Sequence, residues 1–159
     1  DCVYLDAGTS TGWMIEYIRE TQATYVTNAL SHAKRLADKG FHVILIGGEP
    51  KSSTDAIVGA EAVVNLQKYH FSKGFFGTNG VEQNGGFTTP DAREAMVKQT
   101  AVKNTQLANR YFLATSSKFG EVYAVTFAGF EGGVILTEAS VQESLPKSVR
   151  VVNVNQPEQ

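Results

Sequence analysis

Short apolar runs alternate along this chain with stretches whose apolar residues recur at helical spacing, and that alternation narrows the fold more than any other feature. Residues 2–5, 23–27 and 41–46 read as strands. The last is a near-continuous apolar run stopped by Gly47-Gly48, as suits a strand buried on both faces of a parallel sheet. Helical spacing runs through residues 14–18 and through Ala29, Ala33, Leu36 and Ala37, a face that Gly40 ends. Residues 56–66 read as a helix, 71–76 as a strand opening into a polar loop over 77–90, and 91–108 as the longest helix. Further strands are expected at 111–114, 134–136 and 149–154, while 123–130 is ambiguous. Repeated β-then-α order predicts an α/β fold: a mostly parallel, Rossmann-like sheet flanked by helices on both faces. Ligands of such sheets bind beyond the carboxyl ends of the strands, so function is sought in the loops there.

The 159 residues suit one domain, 1–159, and no repeat, low-complexity tract or internal linker divides them. With 42% hydrophobic and 19% charged residues the chain can bury an ordinary core. Its 14 basic residues are dispersed and its net charge is -2, so this piece lacks the basic stripe of a nucleic-acid binder. No apolar run is long enough to cross a bilayer, and no signal peptide is visible. The single Cys2 excludes an internal disulfide and suits a reducing, cytoplasmic setting. The chain starts at Asp1, directly before a strand, which predicts that a further segment precedes it in a longer protein.

Four loops at predicted strand ends share one character. Asp6-Ala7-Gly8-Thr9-Ser10-Thr11-Gly12 follows a strand and opens a helix, so its N–H groups and hydroxyls can converge on an anion. One hydroxyl would suffice as a helix cap; three in a row between glycines exceed that need. The same residues match the G-x-S-x-G elbow of serine hydrolases, with Ser10 as nucleophile. The required acid and histidine would have to come from Asp38 with His42 or Asp55 with His70, helix-end or helix-flanking positions that suit the role poorly. The second loop, Thr27-Asn28, can cap the next helix, and the third, Gly47-Gly48, permits a tight turn or a close backbone approach. The fourth runs from Gly77-Thr78-Asn79-Gly80 to Thr89-Pro90, with Glu82 as its one charge. It reads as a mobile surface loop or a binding loop.

Asp91, Glu94 and Lys98 follow at i, i+3, i+7, one face of a helix. They can form a capping arrangement and a surface Glu94–Lys98 pair, or hold sugar hydroxyls with a lysine near a phosphate. Ser116-Ser117-Lys118 closes another strand, as a solvated turn or a phosphate contact. His32, His42 and His70 are far apart, and no Cys or His pair has metal-ligand spacing, so neither metal nor cofactor is expected.

Read together, these loops resemble the effector-binding domain of the DeoR family of bacterial transcriptional repressors. The resemblance rests on Asp6-Ala7-Gly8-Thr9-Ser10-Thr11, Val26-Thr27-Asn28, Leu45-Ile46-Gly47-Gly48, Val58-Gly59, Phe75-Phe76-Gly77-Thr78-Asn79-Gly80, Gly86-Phe87-Thr88-Thr89-Pro90-Asp91 and Ser116-Ser117-Lys118-Phe119-Gly120, in order along almost the whole chain. It implies a non-enzymatic sensor of a phosphorylated sugar from a phosphotransferase pathway, such as fructose 1-phosphate or tagatose 6-phosphate. It further implies a homo-oligomer, and operator DNA bound only through a winged helix-turn-helix N-terminal to this chain. On that footing Thr9, Ser10, Thr11 and Lys118 are expected to meet the phosphate. Asp6, Asn28, Asn79, Asp91 and Glu94 are expected to hold the sugar, with Lys98 serving either part, and Gly8, Gly48, Thr78 and Gly80 are expected among the ligand-binding residues.

Two positions depart from the family pattern: Thr115, where an aspartate is frequent, and Glu138, where an aspartate again is frequent. The chain is also similar in plan to the ribose-5-phosphate isomerase/CoA-transferase-like fold, which makes sugar-phosphate isomerase the enzymatic alternative. Those isomerases typically carry acids where this chain has Thr78-Asn79-Gly80-Val81. An asparagine can hydrogen-bond a hydroxyl but cannot take its proton, leaving Glu94 as the possible base.

Overall fold

A computed structural model describes residues 1–138, 145–146 and 149–154. A seven-stranded sheet, parallel at every pairing, runs through it in the order β12-β11-β9-β6-β1-β2-β3. Its strands are β1 (Cys2–Leu5), β2 (Thr24–Thr27), β3 (His42–Leu45), β6 (Lys73–Gly77), β9 (Arg110–Leu113), β11 (Gly133–Thr137) and β12 (Arg150–Asn153). Alternation along β1 feeds two cores, because successive side chains point to opposite faces. Val3 and Leu5 pack with Ile15 of α1 (Thr9–Ile15) and Leu36 of α2 (Leu30–Asp38). Tyr4 packs on the other face with Ala62 and Leu66 of α3 (Ala60–Leu66) and with Ala95, Val97 and Ala101 of α4 (Ala92–Lys103). The α/β plan with helices on both faces is therefore the one the alternation predicts.

Five local expectations change. Helix α1 begins at Thr9 and ends at Ile15, rather than spanning 14–18, so the first loop passes straight into its first turn. Strand β3 lies at the sheet edge with Leu45 39% exposed; its apolar run covers both cores only in part. Residues 56–66 split at Gly59, whose φ of +104 is left-handed. Before it β5 (Ile57–Val58) pairs antiparallel with β4 (Glu49–Pro50), and after it comes α3. The expected loop over 77–90 is a hairpin of β7 (Gly80–Glu82) and β8 (Gly86–Thr89). The ambiguous segment supplies its third strand, β10 (Val125–Ala128). Phe87 of this small sheet stacks on Phe112 of the large one at 3.9 Å between ring centroids. Finally α4 stops at Lys103, short of 108, and a 3₁₀ turn covers Leu107–Asn109.

Candidate functional site

The carboxyl ends of β1, β2 and β6 open into a cavity of about 560 Å³, within the range typical of small-molecule sites. Its floor is an interior ion pair. Asp6, the residue after β1, is 1% exposed, and its Oδ2 accepts from Lys98 Nζ and from Gly77 N at 3.1 Å. Lys98 is 7% exposed; it also donates to Gly77 O at 3.0 Å and lies 5.3 Å from the centroid of Phe127. Burial pushes the Asp6 carboxyl above its usual value, and Lys98 and the Gly77 N–H pull it back. The expected surface pair between Glu94 and Lys98 is thus divided: Lys98 turns inward, and Glu94 Oε1 lies 3.4 Å from Lys51.

One wall is the first loop with α2. Gly8, Thr9 and Ser10 line the cavity, whereas Thr11 is buried and holds the frame. Thr11 Oγ1 lies 2.6 Å from Asp6 O and 3.0 Å from His32 Nε2. A hydroxyl has one proton to give. With that proton on Asp6 O, His32 Nε2 must be the donor to Thr11, which assigns the tautomer. Burial holds the His32 imidazole below its ordinary value, opposed by Asp55 and Asp6 and assisted by Arg35. Asn28 lines the cavity and also braces its frame: its Oδ1 accepts from Ala7 N at 3.0 Å, and its Nδ2 donates to Ile57 O at 3.1 Å.

A second wall comes from the residues between β6 and β7, from α4 and from the loop after β9. Asn79 lines the cavity and accepts from Thr89 Oγ1 at 2.9 Å. Thr78 lines it too, with its hydroxyl 2.8 Å from Gly80 O inside the hairpin. Glu94 and Lys118 complete this wall, and among the described residues Lys118 forms no ion pair. Nearby, Glu138 accepts from Ser116 N and so braces the Ser116–Lys118 turn.

Three further expected residues stand outside the cavity lining. Asp91 caps α4, accepting from Arg93 N at 2.7 Å, and pairs with Lys51 at 2.8 Å, which holds its carboxyl below the usual range. Gly48 and Gly80 serve close packing. A Cβ on Gly48 would come within 2.8 Å of Val58 O, and one on Gly80 within 2.2 Å of Glu121 O. The hydrolase pairs do not assemble at Ser10: Asp38 pairs with Lys34, His42 bonds Thr24, and Asp55 bonds Ser31.

Sequence reasoning missed part of the lining: Trp13, Ser31, His32, Arg35 and the strap Thr54, Asp55 and Ala56. His32 and Arg35 stand at i, i+3 on α2, a spacing that placed them on one face. Asp55 had no such signal. It reaches across to cap α2, accepting from Ser31 N at 2.9 and 3.0 Å, where the helix's own flanking Ala29 has no side chain to do so.

Residues 1–137 match the family described as the DeoR C terminal sensor domain. The chain is 45% identical over 138 residues to FruR of Bacillus subtilis, described as an uncharacterized HTH-type transcriptional regulator, covering 86% of this chain and 54% of that protein. It is 35% identical over 124 residues to the lactose phosphotransferase system repressor of Streptococcus mutans, covering 76% and 48%. The chain thus spans about half the length of these curated relatives. Two solved ribose 5-phosphate isomerases share the fold. That of Methanocaldococcus jannaschii matches with a TM-score of 0.50 at 13% identity, covering 74% of this chain and 46% of the enzyme. That of Plasmodium falciparum matches at 0.51 and 9%, covering 74% and 44%. The sequence relatives are regulators, which sets the chain with regulatory domains rather than with the enzymes whose fold it shares.

Proposed function

The chain belongs to the family of DeoR C-terminal sensor domains, and we propose that its cavity is the sensor and that it holds a phosphorylated sugar. The observation that carries the reading is the chemistry of the cavity lining. Thr9, Ser10 and Lys118, which forms no ion pair among the described residues, bring hydroxyls, N–H groups and a positive charge, while Asn79, Glu94 and Asp6 bring groups that hold sugar hydroxyls. Phosphate belongs at the first set and the sugar at the second. Asn28, which lines the cavity, and the buried Thr11 fix the loop between them. Occupancy then favours one arrangement of a homo-oligomer over another and so controls operator binding by a helix-turn-helix segment of the whole cytoplasmic protein. Fructose 1-phosphate and tagatose 6-phosphate are the sugars to try first, since one relative is named a lactose phosphotransferase system repressor.

A thermal-shift series with these two sugar phosphates, their unphosphorylated sugars and inorganic phosphate tests the proposal. A ligand at about 100 times its Kd stabilises by about 2.7 kcal/mol, roughly 5–10 °C for a domain of this size. Lys118→Ala should weaken the phosphosugar at least about tenfold and leave the free sugar unchanged, as expected for loss of one charge-assisted contact. No shift with either phosphosugar at millimolar concentration would refute the reading.

A further inference from the structure

Lys51 lies outside the cavity lining, on the strap between β4 and β5, yet two groups at the start of α4 converge on it. Its Nζ is 2.8 Å from Asp91 Oδ2 and 3.4 Å from Glu94 Oε1, and its side chain is 15% exposed. The strap is fixed around it, with Lys51 N donating to Ala56 O at 2.8 Å and Asp55 holding the start of α2. Glu94 has another cation within reach of its own helix, Lys98 at i+4. That lysine is committed to Asp6 and Gly77 at the cavity floor. Asp6 thus pairs with a buried lysine that stands one helical turn from Glu94, and the Glu94 charge raises the Asp6 carboxyl further.

We infer that Lys51 is a positioning residue for the cavity: by taking Glu94 from the strap side, it keeps that carboxylate from competing with Asp6 for Lys98. Both carboxylates then stay where a polyhydroxylated ligand meets them. The inference rests on the sugar-phosphate reading above. It adds that affinity for the sugar portion depends on a residue that does not touch the ligand. Without Lys51, Glu94 and Asp91 lose their shared cation, and Glu94 turns along α4 towards Lys98. The sugar half of the site is then lost while the phosphate half, at Thr9, Ser10 and Lys118, is left intact.

The test uses the protein with Lys51→Met and Lys51→Arg, the first keeping length without charge and the second keeping charge. Fructose 1-phosphate and tagatose 6-phosphate are the probes, with inorganic phosphate as the ligand that carries no sugar. Lys51→Met should weaken whichever phosphosugar binds by about tenfold or more, leave inorganic phosphate within about twofold, and be rescued to within about threefold by Lys51→Arg. A crystal structure of Lys51→Met should show Glu94 within about 4 Å of Lys98 Nζ. Equal weakening of phosphosugar and inorganic phosphate, or Glu94 unmoved in that structure, overturns the inference while native binding leaves the functional reading standing. Failure of the unaltered protein to bind either phosphosugar overturns both.

Discussion

Lys98→Met removes the cation under the cavity and keeps most of the side chain's apolar volume. The structure fixes what is lost: the bond to Asp6 Oδ2, the bond to Gly77 O at 3.0 Å and the approach to Phe127. Breaking a buried pair by removing one partner costs about 3–5 kcal/mol, because the other charge stays buried and uncompensated. That is a large share of the roughly 5–15 kcal/mol that holds a domain folded. The sign of the pH dependence follows from Asp6. Its carboxyl is raised in the folded state, so the native chain binds that proton more tightly than the unfolded one. Stability therefore falls as pH rises from about 4 through the folded value. Without Lys98 the opposing cation is gone, the folded value moves further up, and the loss reaches to higher pH. Urea unfolding followed by circular dichroism at pH 5 and pH 8 should show a markedly larger deficit at pH 8. The double variant Asp6→Asn/Lys98→Met, which leaves no buried charge, should recover at least about half of the loss. An equal deficit at both pH values, or no recovery in the double variant, would refute the assignment of this pair as a desolvated, mutually dependent unit.

Gly86→Ala should destabilise by about 2 kcal/mol or more. The backbone there has φ +108, and a Cβ would sit 2.2 Å from Ala128 O, so the β8–β10 pairing must open; a melting-temperature drop under about 2 °C would contradict this. His32 offers a second pH test. Its imidazole is held below its ordinary value by burial, so the unfolded chain binds the proton more readily, and stability should decline as pH falls below about 6.5. His32→Gln should flatten the melting temperature against pH between about 5 and 7 relative to the unaltered protein; an unchanged slope would show that another group titrates there.

The fold was legible wherever burial imposes a period. Strands β1, β2, β6, β9, β11 and β12 carry apolar residues in short runs, and α2 carries them at helical spacing, so their order could be read directly. The small sheet was not legible. Strand β7 is Gly80–Glu82 and β8 begins with Gly86, residues that read as turns, and they are strands because β10, far along the chain, pairs with β8. Ile57–Val58 was hidden in the same way, two β-branched residues at the head of an apolar stretch, separated from α3 only by the backbone angle at Gly59.

The site was legible as a set of loops but not as a set of roles, and the difference is one of energy. Spacing along α4 predicts that Glu94 and Lys98 meet, a contact worth about 0.2–0.5 kcal/mol on an exposed helix. Asp6 is buried at the end of β1, and an unpaired carboxylate there would cost several kcal/mol. The larger demand takes the lysine, although its partner is 92 residues away in sequence. Asn28 and Thr11 follow the same order: the half-buried N–H of Ala7 and the buried carbonyls of Ile57 and Asp6 require partners, and these side chains meet that demand before any ligand arrives. Groups that no buried backbone among the described residues claims in this way, Lys118 above all, are left to face the cavity.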